Sequence, residues 1–211
     1  MPAPSSLPSG ADLLRHFDRA DPVIAAVIRK LGPFQLKRNR NYFIVLCKAI
    51  IAQQISNRAA ATISSRFFAL FDGSLPTPDH VLAVPQDRLR AVGLSRQKAS
   101  YLQDLSLHFR DKSINPHRLP YLDNETVIGQ LTAVRGIGRW TAEMFLIFSL
   151  NRLDVFPVAD AGLQSAIRNL YGLRKPPTLK KLRFIGKKWH PFETVATWYA
   201  WRTLDPEIVA Y

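Results

Sequence analysis

The sequence predicts an all-α protein, and three observations support this fold class. Apolar residues recur at the three- and four-residue spacing of amphipathic helices along most of the chain. Capping residues, Pro and Gly stand at the breaks between these segments. No segment shows the sustained alternation of apolar and polar residues that marks a half-buried strand. We therefore expect a helical protein whose two lobes flank a cleft.

The helices can be placed in order from their caps and their apolar spacing. A flexible tail is expected over residues 1–10, which are rich in Pro and Ser. The expected helices then lie within 12–31, with a second start at Pro22; within 41–71, with a break at Gln53–Asn57; from Thr77, Pro85 and Ser95; from Asp123 or Asn124; from Trp140; and over 161–171, 178–188 and 191–204.

Length and composition suit either one large domain or two small lobes around a shared cleft. The chain has 211 residues, and hydrophobic residues make up 47% of it, which is enough to form a packed core. We expect a central lobe over residues 41–145. The second lobe is expected to be discontinuous, with residues 11–40 joined by residues 146–211.

The charge balance indicates a polyanionic partner. Lys and Arg number 29 against 16 Asp and Glu, which gives a net charge of +13. Nucleic acid is favoured over a membrane surface, because the basic residues are spread over the whole chain. The sequence contains neither a signal-like segment nor an apolar run of the length of a membrane span. The single cysteine, Cys47, excludes internal disulfides and multi-cysteine metal sites. Because no signal-like or membrane-spanning segment is found, we expect an intracellular protein located with DNA.

A glycine-rich turn joins two helical segments at Gly136-Ile137-Gly138. The two glycines permit a tight turn, Ile137 can pack into the core, and the amides of residues 136–139 can bind a phosphate at the start of a helix. Arg139 would add positive charge there. A plain helix–helix turn is the alternative. The pattern around it, including small Thr141 in the second helix, favours a DNA-binding helix-hairpin-helix motif over about residues 124–150.

Residues 131–162, from the hairpin to an aspartate, resemble the signature of the helix-hairpin-helix (HhH-GPD) DNA glycosylase superfamily. The segments GIGRW and DVFPVAD are most similar to the 3-methyladenine DNA glycosylase II (AlkA/Mag-like) branch. The likeness extends from about residue 49 to the C-terminus, in the compact form without the N-terminal β domain. The resemblance implies base excision repair by a monomer that binds duplex DNA, flips out an alkylated purine and releases it, leaving an abasic site.

Asp160 is the expected catalytic residue. Breaking an N-glycosidic bond builds positive charge on the sugar, and a carboxylate can stabilise that charge and orient water. On local sequence alone, Asp160 is a good N-cap for the helix that follows it. The resemblance places the catalytic aspartate of the family at this position, and both roles are compatible. The nearby Asp154 is interpreted as a loop residue.

Trp140 bears on the reaction type. By resemblance, bifunctional members of the superfamily have a lysine at this position, which attacks the sugar and gives lyase activity. Trp140 removes that amine, so a monofunctional enzyme with water as the nucleophile is expected. Two other functions stay open: a bifunctional glycosylase/lyase, and a non-catalytic helix-hairpin-helix module in which Asp160 is only a cap.

Aromatic residues are expected to hold the flipped base. By resemblance, Trp140 and Trp201 line the base pocket, and Met144 stands where the AlkA-type enzyme has a tyrosine. Trp198 is interpreted as a core residue. Gln54 matches the side chain that fills the gap in the duplex, although AlkA has an apolar wedge there. A buried glutamine pair that caps helix ends is the alternative.

No cofactor is expected to be required. By resemblance, the hairpin coordinates a monovalent cation through backbone carbonyls, which here belong to Thr132, Val134 and Gly136. A cluster of basic residues between positions 180 and 188 is expected to be a solvated helix face that adds salt-dependent affinity if it contacts DNA. Its members are Lys180, Lys181, Arg183, Lys187 and Lys188.

Overall fold

The computed structural model describes residues 8–205, and within this range all regular secondary structure is helical. The all-α prediction is therefore confirmed for the described part of the chain. One short 3-10 turn lies at Leu119–Tyr121. The α helices, in chain order, are α1 (Gly10–Ala20), α2 (Pro22–Leu31), α3 (Tyr42–Ala52), α4 (Asn57–Ala69), α5 (Pro78–Ala83), α6 (Gln86–Ala91), α7 (Arg96–Arg110), α8 (Asn124–Thr132), α9 (Arg139–Phe148), α10 (Ala161–Leu170), α11 (Leu179–Trp189) and α12 (Glu193–Arg202).

Polar side chains at the N-caps set most helix starts. The expected caps Thr77, Ser95 and Asp123 each accept a backbone N–H from the first turn of their helix. The expected tail extends too far, because Ser9 caps α1 and the helix already begins at Gly10. The rest of that tail, residues 1–7, lies outside the described residues.

The described chain divides into two compact units. The first contains the residues up to Arg38 together with those from Leu146 onward, and the second contains Asn39–Phe145. The core of the first unit is built from α1, α2, α10, α11 and α12, and it includes Trp198 as expected. The second unit buries the apolar side of α3, including Cys47, against neighbouring helices. Burial raises the pKa of the Cys47 thiol, so this cysteine packs as a small apolar residue.

The exposed face of α11 carries the basic cluster, as the sequence indicated. Lys181 and Lys188 also lie over the ring of Phe184, with ammonium-to-centroid distances of 5.6 and 5.4 Å. Between residues 8 and 205, no helix is long and apolar enough to cross a membrane.

A buried carboxylate ties together three elements of the first unit. Asp21 is 1% exposed and caps α2 by accepting the Val23 amide at 3.2 Å. Its other oxygen accepts hydrogen bonds from the Tyr171 hydroxyl and from the Trp189 indole N–H, the latter at 3.1 Å. Burial, followed by the hydrogen bond to Asp21, raises the pKa of Tyr171. Asp21 therefore satisfies donors from α2, α11 and the end of α10.

This network makes Asp21 a site of large stability loss. We expect Asp21→Ala to lower the free energy of unfolding by about 2–5 kcal/mol, because buried donors lose their acceptor. Chemical denaturation measures this change. Asp18→Ala is the matched control, since Asp18 forms only an exposed ion pair with Arg29 and should change stability by less than about 1 kcal/mol. Equal losses in the two variants would contradict a structural role for the network.

Candidate functional site

The hairpin between α8 and α9 requires glycine at position 136. Gly136 has a φ of +86°, a left-handed conformation that disfavours side chains. A Cβ at this position would lie 2.1 Å from the ring of Tyr101 on α7. Ile137 is buried as expected, and its amide donates to the carbonyl of Val134 at 3.1 Å. The Ile137 amide is therefore used within the turn, and its contact with a phosphate stays a prediction.

Gly138 differs from Gly136 in a way that bears on function. A Cβ at Gly138 would meet nothing within 4 Å, and its backbone is not left-handed. The expectation that both glycines are needed for the turn is therefore wrong for Gly138. This residue is exposed and directly precedes α9, whose first-turn amides have no acceptor within the helix. The missing side chain leaves the space beside these amides open, as an anion site at a helix N-terminus would require.

Arg139 is engaged in ion pairs within the protein. Its guanidinium binds both carboxylate oxygens of Glu125 on α8, and its Nε lies 3.1 Å from Glu143, which is mostly buried on α9. The hydrogen bond from Arg139 lowers the pKa of Glu125. The guanidinium thus links the two helices of the motif. Its contribution of free positive charge to DNA is smaller than the sequence suggested.

Residues outside the motif hold the hairpin in place. Asp104 on α7 accepts the Arg135 amide at 2.8 Å and pairs with the Arg135 guanidinium at 3.2 Å. The side-chain amide of Gln53, at the end of α3, donates to the carbonyl of Gly136 at 2.8 Å. The sequence analysis did not identify either residue as part of the site.

A cavity of about 190 Å³ lies in the second unit and includes several of the expected site residues. Trp140 is 39% exposed there, which is unusual for a tryptophan, whereas Met144 is buried at its wall. The lining residues are Val45, Leu46, Ala49, Ala52, Gln53, Gln54, Trp140, Thr141, Met144 and Phe145. The cavity is mainly apolar, and none of the described residues that line it is charged.

Gln54 lies at the rim of this cavity in a strained backbone conformation. Its φ is +56°, in the left-handed region, and its side chain is exposed. The alternative of a buried glutamine pair therefore does not apply to Gln54, although its neighbour Gln53 is half-buried and hydrogen-bonded. Non-glycine residues in this conformation persist where the surrounding structure holds them, often at functional sites.

Asp160 is the N-cap of α10 in the first unit, and one of its carboxylate oxygens accepts two hydrogen bonds. Its Oδ1 accepts the Leu163 amide at 2.6 Å, so its expected role as an N-cap is confirmed. The same oxygen accepts the indole N–H of Trp201 at 2.8 Å, a contact that the sequence analysis did not predict. The ring of Trp201 stacks on Phe148 with a centroid distance of 6.1 Å. These contacts fix the orientation of the Asp160 carboxylate. Asp154 lies in a loop, as expected.

The hairpin carbonyls have the chemistry that a monovalent cation needs. Neutral carbonyl oxygens are suitable ligands for hard cations, and a carbonyl has two lone pairs. The carbonyls of Val134 and Gly136 each already accept one hydrogen bond, from Ile137 and Gln53. Each of these two oxygens therefore retains acceptor capacity for a cation.

The family model described as "HhH-GPD superfamily base excision DNA repair protein" matches residues 47–191. The chain belongs to the HhH-GPD superfamily. It is 33% identical to the DNA-3-methyladenine glycosylase 1 of Schizosaccharomyces pombe over 193 residues, which cover 89% of this chain and 85% of the relative.

Solved structures of other proteins share this fold. A DNA-3-methyladenine glycosidase from Bacillus halodurans matches with a TM-score of 0.86 and 36% identity, covering 97% of this chain and 93% of the other. The S. pombe 3-methyladenine DNA glycosylase in complex with abasic DNA matches with a TM-score of 0.79 and 31% identity, covering 95% and 98% of the two chains.

The two hairpin glycines of this HhH-GPD protein should respond differently to substitution. We expect Gly136→Ala to destabilise the protein by about 2 kcal/mol or more, because the added Cβ clashes with Tyr101 in a left-handed backbone. Gly138→Ala should leave the melting temperature close to that of the parent and weaken binding to undamaged duplex DNA, because its Cβ occupies space left for the phosphate. Thermal unfolding and a fluorescence-anisotropy titration measure the two effects. A Gly138→Ala variant with unchanged DNA affinity would contradict phosphate binding at this position.

Proposed function

We propose that this protein is a monofunctional DNA glycosylase of base excision repair that releases alkylated purines of the 3-methyladenine and 7-methylguanine type. The observation that carries this proposal is the Asp160 carboxylate, held at the start of α10 by hydrogen bonds from Leu163 and Trp201. It occurs in an HhH-GPD chain whose relatives are named DNA-3-methyladenine glycosylases. The fixed carboxylate supports hydrolysis, which a binding module would not require.

The reaction needs one negative charge and one water molecule. The bond between the sugar C1′ and the purine breaks, and its electron pair leaves with the base. Positive charge then builds on the sugar ring, where the Asp160 carboxylate stabilises it. Water adds to C1′ and loses a proton, which leaves an abasic site. An alkylated purine is already cationic, so it becomes neutral as it leaves and needs little help from a general acid.

The flipped base is assigned to the cavity that Trp140 and Met144 line. Chemistry at C1′ requires extrusion of the nucleotide from the duplex. The Trp140 face suits a cationic purine through stacking and cation–π attraction, and the absence of charged lining residues avoids electrostatic repulsion. Trp201 serves both to stack on the base and to position the Asp160 carboxylate. Gln54, exposed at the cavity rim, is the side chain that fills the gap in the duplex.

Water is the proposed nucleophile because the position that carries the lysine of bifunctional enzymes is Trp140. The indole has no amine that could attack C1′ and form a Schiff base. A glycosylase without this amine releases the base and leaves the strand intact. Strand breakage should then require added alkali.

The proposed partner is duplex DNA, bound by a monomer wherever DNA is present in the cell. The amides at the start of α9 and the open side of Gly138 support sequence-independent binding to the DNA phosphates. A monovalent cation on the carbonyls of Thr132, Val134 and Gly136 would hold the turn and add positive charge near the phosphate.

Substitution of Asp160 tests the proposed chemistry. Asp160→Asn keeps an N-cap for α10, so the melting temperature should stay close to that of the parent. Release of 7-methylguanine from duplex DNA under single-turnover conditions should fall at least about 100-fold, because the stabilising charge is lost. Asp154→Asn makes the same charge change in the loop before Asp160, and this control should keep the parent rate.

The same assay separates the alternatives. Release of no base by the parent from 3-methyladenine, 7-methylguanine or hypoxanthine duplexes would favour the non-catalytic binding module. Strand breaks without alkali would favour a lyase. An Asp160→Asn variant as active as the parent would exclude Asp160 as the essential carboxylate.

The cation is tested by salt exchange at constant ionic strength. We expect the parent to bind duplex DNA more tightly in potassium chloride than in tetramethylammonium chloride, since the bulky ion cannot enter a ring of carbonyls. Gly138→Ala should keep this difference, because the carbonyl ligands are unaltered. Equal affinity of the parent in both salts would count against a bound cation.

A further inference from the structure

The turn that carries Gln54 is held by contacts from two other parts of the second unit. The ammonium of Lys98, in the first turn of α7, donates to the carbonyl of Ile51 at 2.8 Å and to the carbonyl of Gln53 at 2.7 Å. The side chain of Gln53 then donates to the carbonyl of Gly136 in the hairpin at 2.8 Å. A continuous chain of hydrogen bonds thus runs from α7 through the Gln54 turn to the hairpin.

Lys98 stands at a position that is locally unfavourable for a cation. It is the third residue of α7, after the cap Ser95, where the positive end of the helix dipole favours acidic residues. Burial also lowers the pKa of the Lys98 ammonium, so holding its charge there is costly. The carbonyls at the C-terminal end of α3 offset this cost, since that end of a helix attracts a cation. The Lys98 ammonium therefore stabilises the turn at the end of α3 more than it stabilises α7, the helix to which it belongs.

The held turn is the one that contains the strained residue. Gln54 directly follows Gln53, whose carbonyl and side chain both take part in these contacts, and Gln54 has a φ of +56°. A left-handed glutamine would relax without such restraint. The contacts with Lys98 and Gly136 fix the residues on which the direction of the Gln54 side chain depends.

We propose that Lys98 and Gln53 are positioning residues that hold the Gln54 turn in register with the phosphate-binding hairpin. Binding of the DNA backbone at the hairpin then places Gln54 at the gap in the base stack. This proposal rests on the proposed function, in which Gln54 fills that gap. It assigns Lys98 no contact with the substrate. Lys98 acts through the Gln54 turn, and Gln53 connects that turn to Gly136.

The test compares Lys98→Met with Arg96→Met. Both variants remove one positive charge from the first turn of α7, but Arg96 is exposed, and among the described residues its side chain makes no hydrogen bond or ion pair with the Gln54 turn. We expect single-turnover release of 7-methylguanine to fall about 10- to 100-fold in Lys98→Met, the scale that a misplacement of about 1 Å produces. Arg96→Met should keep the parent rate at saturating enzyme.

A spectroscopic readout separates positioning from general loss of structure. The probe is a duplex with a tetrahydrofuran abasic analogue next to 2-aminopurine, whose fluorescence rises when it unstacks. The parent should raise this fluorescence on binding, and Lys98→Met should lose most of the rise while it still binds the duplex. Gln53→Met keeps the length of the side chain but removes its N–H donor, and it should also lose most of the fluorescence rise. This variant provides the test if Lys98→Met folds poorly.

A double substitution tests whether Lys98 acts through Gln54. Gln54→Ala should itself reduce the fluorescence rise and the release rate. Adding Lys98→Met to Gln54→Ala should cause little further loss, because both changes disable the same step. Three results would each overturn the proposal. They are an unchanged release rate in Lys98→Met, an unchanged release rate and fluorescence rise in Gln54→Ala, and full additivity of the losses that the two substitutions cause.

Failure of the proposed function gives a different result. A parent protein that releases no base would contradict the glycosylase activity. The 2-aminopurine measurement would still test the positioning role, since the tetrahydrofuran duplex has no base to release. Conversely, if the parent releases 7-methylguanine and the Lys98→Met variant is fully active, the glycosylase activity stands and only the positioning role is refuted.

Discussion

The left-handed backbone at Gly136 is the constraint on which the DNA-binding motif depends. The chain can turn there against the ring of Tyr101 only because no Cβ is present. That turn directs the Gly136 carbonyl toward Gln53 and lets Ile137 enter the core, which fixes the start of α9. Without it, the first-turn amides of α9 would have no defined place, and the α3 turn would keep its contacts with Lys98 but lose the one with Gly136. A single position without a side chain therefore organises contacts from α3, α7 and α9.

Asp160 illustrates how one residue can serve structure and chemistry together. An N-cap needs an oxygen directed at the first-turn amides, and a catalytic carboxylate needs a fixed orientation. The Leu163 and Trp201 donors meet both needs because they reach the same oxygen, Oδ1. Gly162 contributes by leaving space, since a Cβ there would lie 3.2 Å from Oδ1 and 3.5 Å from the Trp201 ring. The structural role thus supports the catalytic role that we propose for Asp160 and does not compete with it.

The sequence predicted the helices well because caps and apolar spacing are local properties. The breaks at Asp21, at Gln53–Asn57 and at Asp123 are encoded within a few residues, and the structure has them there. The contacts that complete the site are not local. Gln53 and Gly136 are 83 residues apart, and Asp160 and Trp201 are 41 apart, so their hydrogen bonds depend on packing that periodicity does not reveal. For the same reason the sequence could not distinguish the steric role of Gly136 from the open surface at Gly138.

The ion pairs of Arg139 affect how this protein can recognise DNA. Its guanidinium is neutralised by Glu125 and Glu143, so the charge next to the hairpin turn is shared with two carboxylates. The phosphate binding that we propose at this turn then depends mainly on backbone amides, whose positions are the same whatever base pair is present. Binding of this kind suits an enzyme that must examine DNA of any sequence. In the reaction that we propose, discrimination is then left to the later steps, in which a base must leave the stack, fit beside Trp140 and depart from its sugar.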